Sequence, residues 1–197
     1  GTGTGKTTVL ASLLSLVDRD ERIVLVEDAG ELQPDHPHVV RLEARPANLE
    51  GAGAITLRDL VRQALRMRPD RLVVGEVRGS EVVDLLAALN TGHEGGCGTV
   101  HANGPADVPP RMEALATAGG LGRDAVHAQL AAAVAVVIHL IRERSGVRRV
   151  SSVSVLHRDE DGLVVVVPAV ELRPDRVVPR DGAEVLAELL TGRGVSA

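Results

Sequence analysis

The chain has 197 residues, of which 44% are hydrophobic, and this is enough for one domain of ordinary size with a real core plus a tail. Its net charge of −5 excludes a general electrostatic attraction to nucleic acid, and its one cysteine excludes an internal disulfide and fits a reducing compartment. The sequence contains no Phe, Tyr or Trp, so no aromatic ring of this chain can stack on an adenine base.

The chain begins with GTGTGKTT, which contains its only lysine, Lys6. This stretch matches the end of the P-loop pattern G-x-x-x-x-G-K-[ST], in which backbone N–H groups cradle phosphates, the lysine reaches the β- and γ-phosphates and the Thr hydroxyl holds Mg²⁺. The pattern places its first glycine five positions before Gly5, so we expect the chain to be cut inside the P-loop, after the strand that feeds it. The predicted nucleotide-binding residues are Gly1, Thr2, Gly3, Thr4, Gly5, Lys6, Thr7 and Thr8.

Helical spacing of apolar residues over positions 10–17 predicts a helix directly after this loop, with its N-terminus towards the phosphates. Two later segments, Arg22–Glu27 and Arg71–Glu76, are apolar runs without alternation that end in an acid, which is typical of buried parallel strands. Ligands of α/β sheets bind beyond the carboxyl ends of such strands. We therefore expect Glu27 and Glu76 to lie near the P-loop.

The remaining pattern alternates strands and helices and then changes to strands separated by Ser145-Gly146 and Asp161-Gly162, which are hairpin signals. This order predicts an α/β fold with a mainly parallel sheet flanked by helices and an antiparallel strand extension. Thr56 and Ser80 are the expected N-caps of two helices. The further predicted elements are strands at 38–43, 134–141, 148–156 and 163–172, helices at 57–65, 80–89, 106–118 and 123–133, and a short helix in the tail 173–197.

A glycine-rich segment carries His93, Cys97 and His101 at intervals of four residues. The glycines exclude a single helical face and no fourth ligand is evident, so a metal site is rejected. We interpret the segment as a loop and strand that line the nucleotide site, where a histidine can donate a hydrogen bond to the γ-phosphate. The alternative for His93 is a loop histidine without a role.

Two groups of arginines remain open to interpretation. For those at positions 62, 66, 68 and 71 the interpretations are that some pair with acids, that one reaches a phosphate across a subunit boundary, or that they form a solvated helix face. Those at positions 142, 144, 148 and 149 bracket a hairpin turn, which is typical of an exposed tip and is less often a partner contact.

The order of the motifs resembles the secretion ATPase superfamily of type II secretion, type IV pilus and type IV secretion motors. It is most similar to the branch that serves tight-adherence (Flp-type) pilus assembly and conjugal transfer. The resemblance covers about residues 1–157, and four motifs in the same order are far more specific than a P-loop alone. The matching segments are Gly1–Thr8 as Walker A, Glu27–Leu32 as the acidic box, Arg71–Gly79 as the Walker B variant and Asn90–Asn103 as the His box.

The resemblance implies a RecA-like P-loop NTPase motor domain over residues 1–172, followed by a tail. It implies that ATP and Mg²⁺ are bound by Lys6 and Thr7, and that Glu27 is the carboxylate that activates water. In the common Walker B form an Asp precedes the Glu, whereas here Gly75 does, so Glu76 is expected to hold Mg²⁺ partly through water. The same resemblance assigns Glu27, Asp28 and Glu31 to the acidic box, and His93 and His101 to sensing the γ-phosphate.

Such motors resemble hexameric rings, whose N-terminal domain contributes to the adenine pocket and supplies arginines to the neighbouring subunit. The resemblance thus implies a homo-hexamer at the cytoplasmic face of the inner membrane, held there by secretion or pilus platform proteins, without direct contact with nucleic acid. It implies ATP hydrolysis that drives pilus assembly, secretion or conjugal transfer, with little activity in residues 1–197 alone. The alternatives are a P-loop kinase or nucleotide switch, and a DNA translocase.

Overall fold

Two four-stranded β-sheets organise the chain in the computed structural model, which describes residues 3–93 and 95–192. The described residues form two compact units. We call residues 6–101 and 114–122 the parallel-sheet unit, and residues 3–5, 102–113 and 123–192 the antiparallel-sheet unit, in each case as far as these residues are described. The predicted boundary between a motor domain and a tail at residue 172 stays a prediction.

The elements of the parallel-sheet unit are α1 (Lys6–Leu14), β1 (Ile23–Glu27), β2 (Val39–Glu43), α2 (Leu57–Leu65), β3 (Arg71–Val77), α3 (Glu81–Leu89) and β4 (Cys97–Val100). The strand order is β2-β1-β3-β4, and every strand pairs in parallel with its neighbours. All five residues of β1 are buried, which explains its unbroken apolar sequence. Because the strands are parallel, their carboxyl ends lie at one edge of the sheet.

One of the two predicted helix caps is confirmed and the other is wrong. Thr56 caps α2 in a capping box: its hydroxyl accepts from Asp59 N at 3.2 Å, and its own N–H donates to Asp59 Oδ2 at 3.0 Å. The prediction for Ser80 is wrong, because its backbone is already helical and its side chain makes no cap hydrogen bond. Instead, buried Glu81 accepts from the N–H groups of Arg78 at 2.6 Å and Gly79 at 2.8 Å, which satisfies the loop before α3.

The antiparallel-sheet unit contains the predicted hairpins, with positive φ at both Gly146 and Gly162. After a 3₁₀ turn at Pro105–Asp107 the elements are α4 (Val108–Ala118), α5 (Arg123–Ala133), β5 (Val136–Arg142), β6 (Arg148–Arg158), β7 (Val164–Leu172), β8 (Val177–Pro179) and α6 (Ala183–Thr191). The sequence predicts an extension of the parallel sheet, and these strands form a second sheet with the order β5-β6-β7-β8. The helices α5 and α6 pack against β6 and β7.

Strand β8 lies in a stretch for which the sequence predicts no strand. It pairs with the end of β7, where Val170 faces Pro179. A proline cannot donate to a β-ladder and is therefore confined to an edge such as this one, which is why the composition hides the strand. The short helix predicted in the tail is confirmed as α6, while the last tail positions, 193–197, lie outside the described residues. Within the described part of the chain, no helix has the length and apolar character that crossing a membrane requires.

Candidate active site

The glycines of the P-loop have the backbone conformations that a tight loop requires. Gly3 and Gly5 have φ values of +75° and +92°, a region that side-chain-bearing residues rarely adopt. Thr4 between them is buried. Helix α1 begins with Lys6, directly after Gly5, so the N-terminus of this helix, the positive end of its dipole, follows the loop. Gly1 and Thr2 lie outside the described residues, and Lys6, Thr7 and Thr8 form the first turn of α1.

Glu27 ends β1 as a buried carboxylate, with only 4% of its surface exposed. Its Oε1 accepts hydrogen bonds from Leu32 N at 3.0 Å and from Glu31 N at 3.2 Å. Its Oε2 is buried and has no hydrogen-bond partner among the residues that the structure describes. Burial raises the pKa of Glu27 above its ordinary value, although the two N–H donors act in the opposite direction. One oxygen is thus fixed and the other is available to a water molecule.

The glycine that replaces the usual Walker B aspartate makes room for this carboxylate. A β-carbon on Gly75 would lie 2.8 Å from Glu27 Cγ and 3.2 Å from Glu27 Oε1. Strands β1 and β3 are adjacent and in register up to the pair Val26–Val74, so the Glu27 side chain passes directly over the backbone of Gly75. A larger residue at position 75 would have to displace Glu27. The departure from the common motif therefore has a steric cause in this fold.

Glu76 follows at a local irregularity of the sheet. The pairing of β3 with β4 shifts between Val74 and Val77, and the carbonyl of Gly75 accepts a hydrogen bond from the Thr99 hydroxyl at 2.7 Å. Irregularities of this kind re-aim side chains and are common beside active sites. Here the shift is centred on Gly75 and Glu76, the pair that carries the Walker B acid.

Two side chains, His101 and Arg78, contact Glu76, and Arg78 also approaches Asp28. His101 Nε2 contacts Glu76 Oε1, Arg78 Nη2 donates to Glu76 Oε2, and Arg78 Nη1 lies 3.6 Å from Asp28 Oδ2. Burial alone would raise the pKa of Glu76, but the Arg78 hydrogen bond, the neighbouring His101 and the positive charges of Arg78 and Lys6 lower it below its ordinary value. Glu76 is therefore ionised at neutral pH.

The pKa of His101 is also lowered, but by different causes. Burial and the positive charge of Lys6 lower its pKa, while the Glu76 carboxylate raises it less. The imidazole is therefore neutral at neutral pH and can donate one hydrogen bond. The mutual electrostatic effects place Lys6, Glu76 and His101 in one neighbourhood, as the order of motifs predicts.

The other candidate residues lie at the margin of this cluster. His93 is half-buried, and its Nδ1 lies 3.2 Å from the carbonyl of Ala88 near the end of α3; no contact among the described residues joins it to Glu27 or Glu76. Asp28 and Glu31 are exposed, and Glu31 serves Glu27 through its backbone N–H. Burial raises the pKa of the Cys97 thiol to about 11, so this cysteine is protonated and unreactive. The predicted role of His93 in sensing phosphate stays a prediction.

Arg78, Glu81 and Thr99 are site residues that sequence reasoning misses. Arg78 and Thr99 stand inside the recognised motifs, but their contacts depend on the loop after β3 and on the shifted register of β4. Among the arginines that were left open, Arg71 forms hydrogen bonds of 2.6 and 2.9 Å with Glu21, and Arg62 Nε donates to Asp84 at 2.9 Å. These two arginines pair with acids, which is one of the interpretations that the sequence leaves open.

A known protein family and several known proteins are similar to this chain. The profile of the family described as type II/IV secretion system protein matches residues 1–168. A protein of Mycobacterium tuberculosis that is named provisionally for conjugal transfer is 62% identical over 193 residues, which cover 98% of this chain and 54% of that protein. The VirB11 protein of Agrobacterium fabrum is 38% identical over 104 residues, which cover 53% of this chain and 30% of that protein. The chain thus spans about half the length of the curated relatives that it matches most fully.

Solved structures agree with the fold. The VirB11 ATPase of the Brucella suis type IV secretion system, solved with sulphate, matches with a TM-score of 0.66 and 30% identity over 77% of this chain and 45% of that chain. The pilus retraction motor PilT, solved with ADP, matches with a TM-score of 0.58 and 27% identity over 77% of this chain and 43% of that chain. The predicted RecA-like P-loop fold is confirmed by these neighbours.

Proposed function

Because the chain belongs to the type II/IV secretion system protein family, we propose that it is the motor domain of a Mg²⁺-dependent ATPase that drives pilus assembly, secretion or conjugal transfer. The observation that carries the proposal is the Glu27 carboxylate, which is buried, has one oxygen fixed by two N–H groups and has a second oxygen with no partner among the described residues. It ends a strand at the same sheet edge as Glu76. Paired acids at this edge are what phosphoryl hydrolysis beside a P-loop requires.

The residues present fit a nucleotide with its metal ion. Glu76 is ionised, lies in the field of Lys6 and has a buried oxygen, Oε1, that lacks a hydrogen bond with proper geometry within the described residues. Oxygen donors of this kind suit Mg²⁺, which keeps several of its waters and is often held through them. In this proposal Thr7 and Glu76 hold Mg²⁺, partly through water, and Lys6 with the loop at residues 1–8 binds ATP. The bound ion neutralises charge that develops on the phosphates.

Each further residue of the chain has a defined task in the proposal. Glu27 orients the attacking water and accepts its proton, because its free oxygen is the acceptor and burial raises its pKa towards neutrality. Neutral His101 donates a hydrogen bond towards the terminal phosphate, and His93 responds to the presence of that phosphate. Arg78 holds the Glu76 carboxylate and reaches towards Asp28 in the acidic box.

The assembly that we propose is a homo-hexamer docked on platform proteins at the cytoplasmic face of the inner membrane, without direct contact with nucleic acid. The support is that relatives are named for conjugal transfer, for a type IV secretion system and for pilus retraction. The net charge of −5 favours contact with protein partners over nucleic acid. Flp-type pilus assembly and conjugal transfer are the specific systems that the order of motifs favours.

The catalytic assignment is tested with Glu27→Gln in the full-length protein. The amide keeps the shape of the side chain but cannot accept a proton from water, so we expect ATP turnover to fall by about 10²- to 10⁴-fold while ATP binding is retained. Steady-state phosphate release measures turnover, and calorimetry measures binding. Lys6→Ala should abolish binding, and Glu50→Gln, an exposed acid in a loop, is the matched control. Wild-type turnover in Glu27→Gln would contradict the assignment.

A further inference from the structure

Two arginines face each other across the β5–β6 hairpin. Arg142 ends β5 and pairs in register with Arg148, the first residue of β6, and both side chains are exposed. Like charges placed directly opposite each other in an antiparallel pair are destabilising. Within residues 3–93 and 95–192, neither guanidinium has a hydrogen-bond or carboxylate partner that would offset this repulsion.

A third arginine of the same hairpin, Arg149, has an acidic partner that compensates its charge. Arg149 Nε donates to Glu143 Oε1 at 2.7 Å, and its Nη1 donates to the carbonyl of Leu172. Glu143, the acid within the turn, is thereby occupied by Arg149 and also accepts from the Ser145 hydroxyl. The hairpin therefore contains an acid, but this acid serves Arg149 and leaves the charges of Arg142 and Arg148 uncompensated.

Both uncompensated arginines lie against the glycines of the P-loop, which belong to the same compact unit. Arg142 Nη1 is 4.0 Å from the position that a β-carbon on Gly3 would occupy, and Arg148 Cδ is 3.6 Å from the corresponding position at Gly5. At both glycines the backbone has a positive φ, so a side chain is disfavoured there and the arginines can approach the loop closely. The Arg142 guanidinium, and for Arg148 the methylene group that carries the guanidinium, are thus brought to the loop whose N–H groups cradle phosphates.

We propose that Arg142 and Arg148 bind the polyphosphate of the nucleotide held by this loop. Guanidinium groups match phosphate oxygens with paired N–H donors, and an anion between the two groups would turn their mutual repulsion into a shared attraction. The inference rests on the proposed ATPase function and adds two phosphate ligands from the hairpin to those of the P-loop motif. It assigns a binding role to a hairpin that the sequence alone presents as an exposed tip.

The test uses the full-length protein with Arg142→Gln, Arg148→Gln and Arg144→Gln, and calorimetric dissociation constants for ADP. Each of the first two changes removes a charged hydrogen-bond donor, for which we expect about 10-fold weaker ADP binding. Arg144 is an exposed residue of the same hairpin turn, and its change removes the same charge, so Arg144→Gln is the matched control with an effect below about 2-fold. Affinity for AMP, which lacks the β-phosphate, should change much less than affinity for ADP.

A second readout separates binding from structural support. Because each change removes one of two facing like charges, the unfolding midpoint without nucleotide should stay the same or rise in Arg142→Gln and Arg148→Gln. A lowered midpoint with the weaker affinity, or equal weakening in Arg144→Gln, would overturn the inference. If both variants bind ADP normally while Lys6→Ala does not, the inference fails and the proposed function stands. If the wild-type protein binds neither ADP nor ATP, both fail.

Discussion

At the scale of single residues, the position of one carboxylate depends on a missing β-carbon. Glu27 is anchored through Oε1 by two backbone N–H groups, and its side chain lies against the Cα of Gly75 on the neighbouring strand. The Walker B aspartate of the common motif could be accommodated here only if Glu27 moved, since a β-carbon at position 75 would lie 2.8 Å from Glu27 Cγ. The buried position of Glu27 therefore depends on a glycine, rather than an aspartate, at position 75.

Gly75→Ala should impair hydrolysis without abolishing nucleotide binding. The added methyl group would lie 2.8 Å from Glu27 Cγ, so the carboxylate has to move, and a misplacement near 1 Å costs about 10²-fold in rate. We expect ATP turnover in the full-length protein to fall by about that factor, with an ADP dissociation constant within about 3-fold of wild type. Gly122→Ala is the control, because a β-carbon there meets nothing within 4 Å.

The pH dependence of the same variant gives a second measurement. Turnover requires ionised Glu27 and is lost as pH falls through its pKa, which burial places above the ordinary value of 4.5. In Gly75→Ala the displaced carboxylate is more solvated, so the acid limb of the turnover profile should move to lower pH. An unshifted acid limb together with unchanged turnover would show that Gly75 does not position Glu27.

At the scale of elements, the side chain of His127 ties two helices to a strand within the antiparallel-sheet unit. His127 lies on α5 with 4% of its surface exposed, and its Nδ1 accepts from Val164 N of β7 at 2.8 Å. Because Nδ1 is an acceptor, the ring proton is on Nε2, which lies 3.0 Å from Glu113 Oε2 on α4. The hydrogen bond from His127 is the main cause that lowers the pKa of Glu113.

His127→Ala should destabilise the protein more than any change of an exposed histidine. It leaves the buried Val164 N–H without an acceptor and opens a cavity, for which we expect a loss of about 3 kcal/mol in the free energy of unfolding. Urea denaturation of the full-length protein measures this loss. His157→Ala, at an exposed position, is the control and should change stability by less than about 0.5 kcal/mol. Equal stability of the two variants would contradict the role of His127.

Elements whose signal is local could be predicted from the sequence, and contacts that depend on register could not. The buried strands β1 and β3 are visible as apolar runs, and the capping box at Thr56 is visible as Thr-x-x-Asp. The pairing of Arg142 with Arg148 requires the register of a hairpin whose turn length is not fixed by Ser145-Gly146 alone. The acceptor role of Glu81 requires the path of the loop after β3, which no periodicity encodes.

The glycine-rich part of the His box is a second case in which the sequence predicts a local feature but not the contact that requires it. Its composition correctly excludes a helix, but the reason for the glycines is long-range packing. A β-carbon on Gly96 would lie 2.5 Å from Leu89 Cδ2 and 2.7 Å from the carbonyl of Leu72, so this segment can reach β3 only without a side chain. The glycine-rich composition indicates that another part of the chain lies close to this backbone, and the structure identifies that part as Leu89 and Leu72.

At the scale of the whole molecule, the chain spans about half the length of the curated relatives that it matches most fully. Its described residues form two compact units, and its sequence offers no aromatic ring for an adenine base. Aromatic stacking on adenine, and arginines that act across a subunit boundary, would then come from the other half of a protein of the relatives' length. The hexamer and the turnover are therefore proposed for a protein of the relatives' length.

We therefore expect the 197-residue chain to hydrolyse ATP far more slowly than a protein of the relatives' full length. An arginine supplied by a neighbouring subunit contributes about 10³- to 10⁵-fold to phosphoryl transfer, so its loss alone should reduce turnover per subunit by about 10³-fold. Sedimentation with ATP should give six times the subunit mass for the longer protein, and its turnover per subunit should rise with protein concentration as rings form. The Glu27→Gln variant of the longer protein is the control, since it should assemble without turning over. Equal turnover per subunit in the two proteins, independent of concentration, would contradict a motor that is completed by assembly.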